Sequence, residues 1–193
     1  MSASDLRKTY LKYKIGVSGS ALDNNCGPDA FKKAYQIGKA IAQEKAVIVT
    51  GDTTGIPYEA AKGAKAAGGI SIGLSPASSK LEHKKKYKLP IDYMDLVIYT
   101  GFEYSGRNLF FMRSCDAVIF VCGRIGTLNE FTIAFEDKKP IGILTNTGGI
   151  TDEIEHILEV ARRGGGRVIY NENPTLLVRK ILQMVRKEDR DLK

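Results

Sequence analysis

The sequence has no tryptophan, two histidines and three cysteines in 193 residues. Each shortage excludes something. His83 and His156 stand far apart and no CxxC is present, so no metal site is expected. Cys26, Cys115 and Cys122 are odd in number and lack framework spacing, which fits a reducing cytosol. Long apolar runs are missing as well. The stretch Ala117 to Cys122 falls far short of the ~20 residues that span a bilayer. Met1 to Lys14 is charged throughout and holds no apolar signal segment. The expectation is a cytoplasmic protein with no membrane partner. Two nucleotide-binding motifs are absent too. There is no GxxxxGK[ST], and the first strand lacks GxGxxG, so ordinary NAD binding is not favoured.

What is present belongs to a soluble globular chain. The 43% apolar and 26% charged shares are ordinary for one. A chain of this length reads as one domain over residues 1–193, able to bury a core without a staple. The formal charge is +7, which raises the question of a nucleic-acid partner. Its distribution answers against one. Residues 1–14 carry four basic groups and one acid; 80–88 carry five lysines and one acid; 179–193 carry six basic groups and three acids. The rest of the chain is mildly acidic. No RNP-type aromatic pattern, helix-turn-helix punctuation or zinc motif accompanies the charge.

Continuous β-branched runs mark seven strands: Ile15 to Ser18, Ala46 to Thr50, Ile70 to Leu74, Leu96 to Thr100, Ala117 to Cys122, Ile141 to Leu144 and Val168 to Tyr170. Runs without alternation suit strands covered on both faces. Helical patterns lie between them. Gly27-Pro28-Asp29 precedes one to about Gln43, and Ile56-Pro57-Tyr58-Glu59 opens another to Ala67. Short helices are expected after Gly106 and Gly126, one from Thr151, and a last one from Asn173-Pro174. Such alternation predicts a Rossmann-like, doubly wound α/β fold with a mainly parallel sheet of about seven strands and helices on both faces. Ser75 to Tyr93 reads as the longest irregular stretch, with its lysine run a solvated face.

Ligands of doubly wound sheets bind beyond the carboxyl ends of the strands. Three loops there are rich in glycine and hydroxyls. They are Gly16-Val17-Ser18-Gly19-Ser20, Gly51-Asp52-Thr53-Thr54-Gly55 and Gly123-Arg124-Ile125-Gly126-Thr127. Glycine admits close approach to a phosphate, and helix N-termini offer free N–H groups. Candidate ligand-binding residues are therefore Ser18, Gly19, Ser20, Gly51, Asp52, Thr53, Gly55, Gly123, Arg124, Gly126 and Thr127. Simpler roles compete. Thr127-Leu128-Asn129-Glu130 matches a capping box, Asp52 could cap the second helix, and Arg107 could form a surface ion pair.

Gly106-Arg107-Asn108, Cys115-Asp116-Ala117-Val118-Ile119 and Gly123 to Glu130 together resemble the signature of the LOG superfamily. That family is named for the Lonely Guy cytokinin-activating phosphoribohydrolases. Its pattern is an Arg-Lys pair, a Ser-Asp-Ala strand start, then PGGxGTxxE, and the Arg107-to-Asp116 spacing keeps its register. Thr50 to Ile56 resembles the family's GGGxxGLM segment, so the similarity runs from Lys14 to about Leu144. There are departures. Cys122-Gly123-Arg124 replaces Pro-Gly-Gly, and Asn108 replaces the lysine. The Arg-Asn pair is more typical of the branch that holds molybdenum-cofactor carrier proteins.

The resemblance implies one of two functions. In the first, the protein hydrolyses the N-glycosidic bond of nucleoside 5′-monophosphates to base and ribose 5-phosphate. Glu130 would stabilise the oxocarbenium-like ribose, position water or act as nucleophile, with Arg107 as its catalytic partner. In the second, it is a non-catalytic carrier or sensor of a nucleotide or pterin-type (molybdenum) cofactor. Either way the partner is a small phosphorylated ligand, and no further cofactor is required. The family's habit also implies a homodimer, with Phe110-Phe111-Met112, Phe131, Ile133 and Phe135 as the apolar patch.

Overall fold

The computed structural model describes residues 11–191. The charged ends Met1–Tyr10 and Leu192–Lys193, which carry part of the positive excess, lie outside the described residues. Fifteen elements follow one another: β1 (Lys14–Gly19), α1 (Ala30–Gln43), β2 (Val47–Thr50), α2 (Ile56–Ala66), β3 (Ile70–Ser75), α3 (Lys80–Lys85), β4 (Leu96–Tyr99), α4 (Glu103–Ser114), β5 (Ala117–Val121), α5 (Ile125–Glu136), β6 (Ile141–Leu144), a 3-10 turn (Gly149–Glu153), α6 (Ile154–Val160), β7 (Val168–Asn171) and α7 (Pro174–Asp191). The strands form one parallel sheet in the order β4-β3-β2-β1-β5-β6-β7. This is a Rossmann-like, doubly wound α/β fold. Strand order reverses between β1 and β5, the point where such folds open a crevice.

Burial follows the strand pleat. Ile15, Val17, Ile119 and Val121 face a layer with α1, α2 and α7. Val49, Leu74, Val118, Phe120 and Ile143 face the opposite layer, with α4 and α5. Alternate residues serve different layers, which is why the strands read as unbroken apolar runs. The pleat is tied at its lower end by Asp116. Its carboxylate accepts from the Lys14 backbone N–H (2.7 Å), while its own N–H donates to the Lys14 carbonyl (2.8 Å).

Several expectations need correction. Gly106 and Gly126 do not precede their helices but lie inside the first turns of α4 and α5. The stretch Ser75 to Tyr93 is not wholly irregular, because α3 occupies its middle. Phe111, Met112 and Phe131 are buried in the core and cannot form an outer patch, while Phe110 is exposed. Among the described residues no helix is long and apolar enough to cross a membrane.

The cysteines also differ from expectation. Cys26 and Cys122 form a disulfide, with Cα atoms 5.5 Å apart, and Cys115 alone is free. The pairing follows from topology. β1 lies beside β5 in the register Ile15↔Ala117 to Gly19↔Val121, so the loops that leave them run side by side. A separation of 96 residues gives no spacing signal to read. Asn25 joins the same two loops, its Nδ2 donating to the Gly123 carbonyl at 2.7 Å. Unfolded, non-reduced protein is expected to titrate with one thiol per chain, and reduced protein with three. Reduction should cost about 2–4 kcal/mol of stability. A count of three without reductant removes the disulfide.

Candidate functional site

The carboxyl ends of β1, β2 and β5 open into a cleft of about 520 Å³. That volume lies in the range of small-ligand sites. Three expected loops meet there. Ser18, Gly19 and Ser20 arrive from β1, Gly51 and Thr53 from β2, and Arg124, Gly126 and Thr127 from the start of α5. Arg107 and Glu130 line it as well. Asp52, Gly55 and Gly123 do not. Asp52 is buried beneath the cleft, Gly55 caps α2, and Gly123 makes the turn into α5 with φ +106.

Glu130 is the centre of the site. The capping-box reading fails: α5 begins at Ile125, its N-cap is Arg124, and no side chain caps it. Glu130 therefore sits in the second turn, with its carboxylate turned into the protein. Ser18 Oγ donates to Oε2. Arg107 Nη1 donates to Oε1 at 3.3 Å. The Asn108 amide, oriented with its NH2 group inward, donates to Oε1 at 2.8 Å and to the Tyr104 carbonyl at 2.9 Å. Burial raises the Glu130 pKa, and Arg107 and Ser18 oppose that rise. Arg107 is likewise buried, not a surface partner. Its guanidinium lies against Gly51, where a Cβ would collide with it, so a side chain is excluded there.

Phosphate chemistry is available at the start of α5. This 12-residue helix leaves the N–H groups of its first turn unbonded by any side-chain cap. The first intrahelical donor is Leu128, to the Arg124 carbonyl at 3.0 Å. The helix dipole favours an anion at that end, and exposed Arg124 adds a guanidinium. Among the described residues no cluster of acids, histidines and cysteines could hold a metal ion.

Sequence reasoning missed one wall of the cleft. Tyr87, Lys88 and Leu89 line it from the connection between α3 and β4, and Tyr104 and Asn108 line it from α4. The lysines of the run are all exposed, and Lys88 lines the cleft as well. A signal was present in Ser79 and Glu82, spaced as a capping box: Ser79 Oγ accepts from the Glu82 N–H at 3.2 Å. His83 is fully buried, joined to Ser75 Oγ (2.8 Å) and the Pro90 carbonyl (3.1 Å).

A parallel Rossmann-like protein with a cationic cleft at the strand-order reversal is the class these features define. The chain belongs to the SLOG cluster4 family, which it matches over residues 12–178. The LOG-type resemblance of residues 106–130 is borne out. An uncharacterized protein of Archaeoglobus fulgidus is 32% identical over 131 residues, covering 68% of this chain and 79% of that one. Among solved structures, the chain is similar to the molybdenum cofactor binding protein of the phototrophic bacterium Rippkaea orientalis. The identity is 29% and the TM-score 0.76, over 92% of this chain and 99% of that one. The molybdenum cofactor carrier protein of Chlamydomonas reinhardtii is similar at 27% identity and TM-score 0.73, over 91% and 99%.

Asp52 supplies a test of the ground beneath the cleft. It holds a left-handed backbone (φ 54), and neither carboxylate oxygen has a hydrogen-bond partner. It does not cap α2. Burial pushes its pKa up to about 6, against the pull of His83 and Arg107. An acid raised in this way binds its proton more tightly when folded. Its contribution to stability is full below about pH 4 and is lost as pH rises through about 6. Asp52→Asn should therefore be more stable than the parent at pH 8, by about 1–3 kcal/mol, with the gap closing by pH 4. Urea unfolding at the two pH values measures this. A variant weaker than the parent at both values contradicts it.

Proposed function

We propose that the protein binds a phosphorylated, nucleotide-type ligand in this cleft and acts as its carrier or sensor. The observation that carries the reading is the pairing of an uncapped α5 N-terminus and Arg124 with a carboxylate already fully engaged. Both oxygens of Glu130 accept hydrogen bonds from the protein, which leaves it poorly placed to attack or to shuttle a proton. Arg107 and Asn108 then stabilise the site rather than react in it. The two similar proteins named for the molybdenum cofactor support a phosphorylated cofactor as cargo.

One observation favours the hydrolytic reading. Arg107 and Glu130 meet as a buried pair on the cleft wall, where a ribose C1′ could lie beside the carboxylate. Incubation with AMP and other nucleoside monophosphates, followed by chromatography for free base, separates the two. The carrier reading expects binding without base release. It also expects Arg124→Ala to weaken binding about tenfold, the size of one charge-assisted hydrogen bond. Base release lost in Glu130→Gln and Arg107→Ala would establish hydrolysis instead.

A homodimer through the start of α4 accompanies this proposal. Phe102 and Phe110 are stacked at 4.9 Å, are 56% and 45% exposed, and lie near half-exposed Leu109. Exposed stacked aromatics of this kind mark contact surfaces. Light scattering should give twice the 21.2 kDa chain mass. Phe110→Glu should give the monomer, and a monomeric parent removes the claim.

A further inference from the structure

We propose that Tyr87 and Lys88 form a ring-recognition wall, selecting a planar heterocycle whose edge bears a carbonyl. This deepens the proposed function and rests on it for the phosphate end of the ligand. The wall stands on the β3 side of the β1 loop, while α5 starts on the β5 side. A ligand with its phosphate at α5 would reach across the cleft to the wall.

The wall is built and held. Glu82 accepts from the Ser78 N–H (2.7 Å) and from Lys86 Nζ (2.7 Å), and that ammonium lies 5.0 Å over the Tyr87 ring. Tyr87 also meets Tyr104 edge-to-face, with centroids 5.6 Å apart at 84°. Leu89 is buried behind it, its N–H donating to the His83 carbonyl at 3.1 Å. Between them Lys88 takes a left-handed backbone, φ 54, and is exposed along the cleft. His83 fixes the whole segment to the sheet through Ser75 and the Pro90 carbonyl. Two tyrosines held open to a cleft make a stacking surface for any flat ring.

Charge decides which ring. The cleft is lined by Lys88, Arg107 and Arg124, all pure donors, against one acid. That acid, Glu130, is engaged by Ser18, Arg107 and Asn108. An exocyclic amino group would find no free carboxylate. A ring carbonyl, as in the 6-oxopurine hypoxanthine, would find the Lys88 ammonium.

Equilibrium titration with IMP, AMP and ribose 5-phosphate tests this. IMP and AMP differ at the edge in question, 6-oxo against 6-amino. The chain has no tryptophan, so its tyrosine emission can report binding, with calorimetry alongside. The parent should bind IMP about tenfold more tightly than AMP, and ribose 5-phosphate most weakly. Lys88→Ala should level IMP with AMP, and Lys88→Arg should keep the preference. Tyr87→Ala should bring both nucleotides close to ribose 5-phosphate, and Tyr87→Phe should not. The wall is overturned if AMP matches IMP in the parent. It is overturned too if ribose 5-phosphate matches both, or if the variants weaken ribose 5-phosphate as much as the nucleotides. Inosine binding as tightly as IMP, with no competition from inorganic phosphate, would remove the phosphate end and leave the wall standing. No binding of any probe removes both.

Discussion

The parallel pairing of β1 with β5 is the constraint on which the rest of the site depends. Chain order carries the first half of the sheet outward from β1 to β4, then returns it to β1's other flank. Only that return sets Ser18 beside the start of α5, and Arg107 within reach of Glu130. The disulfide, the Asn25 link and the Asp116 clasp all reinforce the same pair of strands. A sheet of the same strands in another order would keep its core and lose its cleft.

The charges around Glu130 obey a strict balance. A buried carboxylate is costly unless it is paired and fully hydrogen-bonded. Three donors meet that demand, one from β1 and two from α4. Asn108 is instructive because it departs from the family's lysine. A second cation there would leave the cluster with excess positive charge, whereas an amide adds a donor and no charge. Asp52 is the opposite case. It sits under the same cleft without a hydrogen-bond partner, so its environment favours the protonated form.

Most of the fold was legible because continuous β-branched runs are a strong signal for doubly covered strands. All seven strands fall within two residues of their expected bounds at either end. The capping rule shows how local signals mislead. Thr127 and Glu130 have the right spacing, yet the backbone starts α5 earlier and the glutamate is claimed by tertiary partners. Ser79 and Glu82 have the same spacing and do form the cap, within a segment too polar and too short to look helical. The residues of the cleft that came from glycine loops were visible because their chemistry is local. Tyr87, Lys88 and Tyr104 were not, since only the fold of α3 against the sheet carries them to the cleft. The cysteine pair was hidden for the same reason.

The disulfide also changes what a break in the backbone means. Cys26 and Cys122 close a covalent ring that contains α1, β2, α2, β3, α3, β4, α4 and β5. A protease cutting the exposed lysines of α3 would sever the chain inside that ring. While the bond is intact, the two fragments stay joined and the sheet keeps all its strands. Once it is reduced, the same cut divides the molecule between β3 and β4 into two fragments held together by packing alone. The redox state of one bond thus decides whether a nick is a scar or a separation.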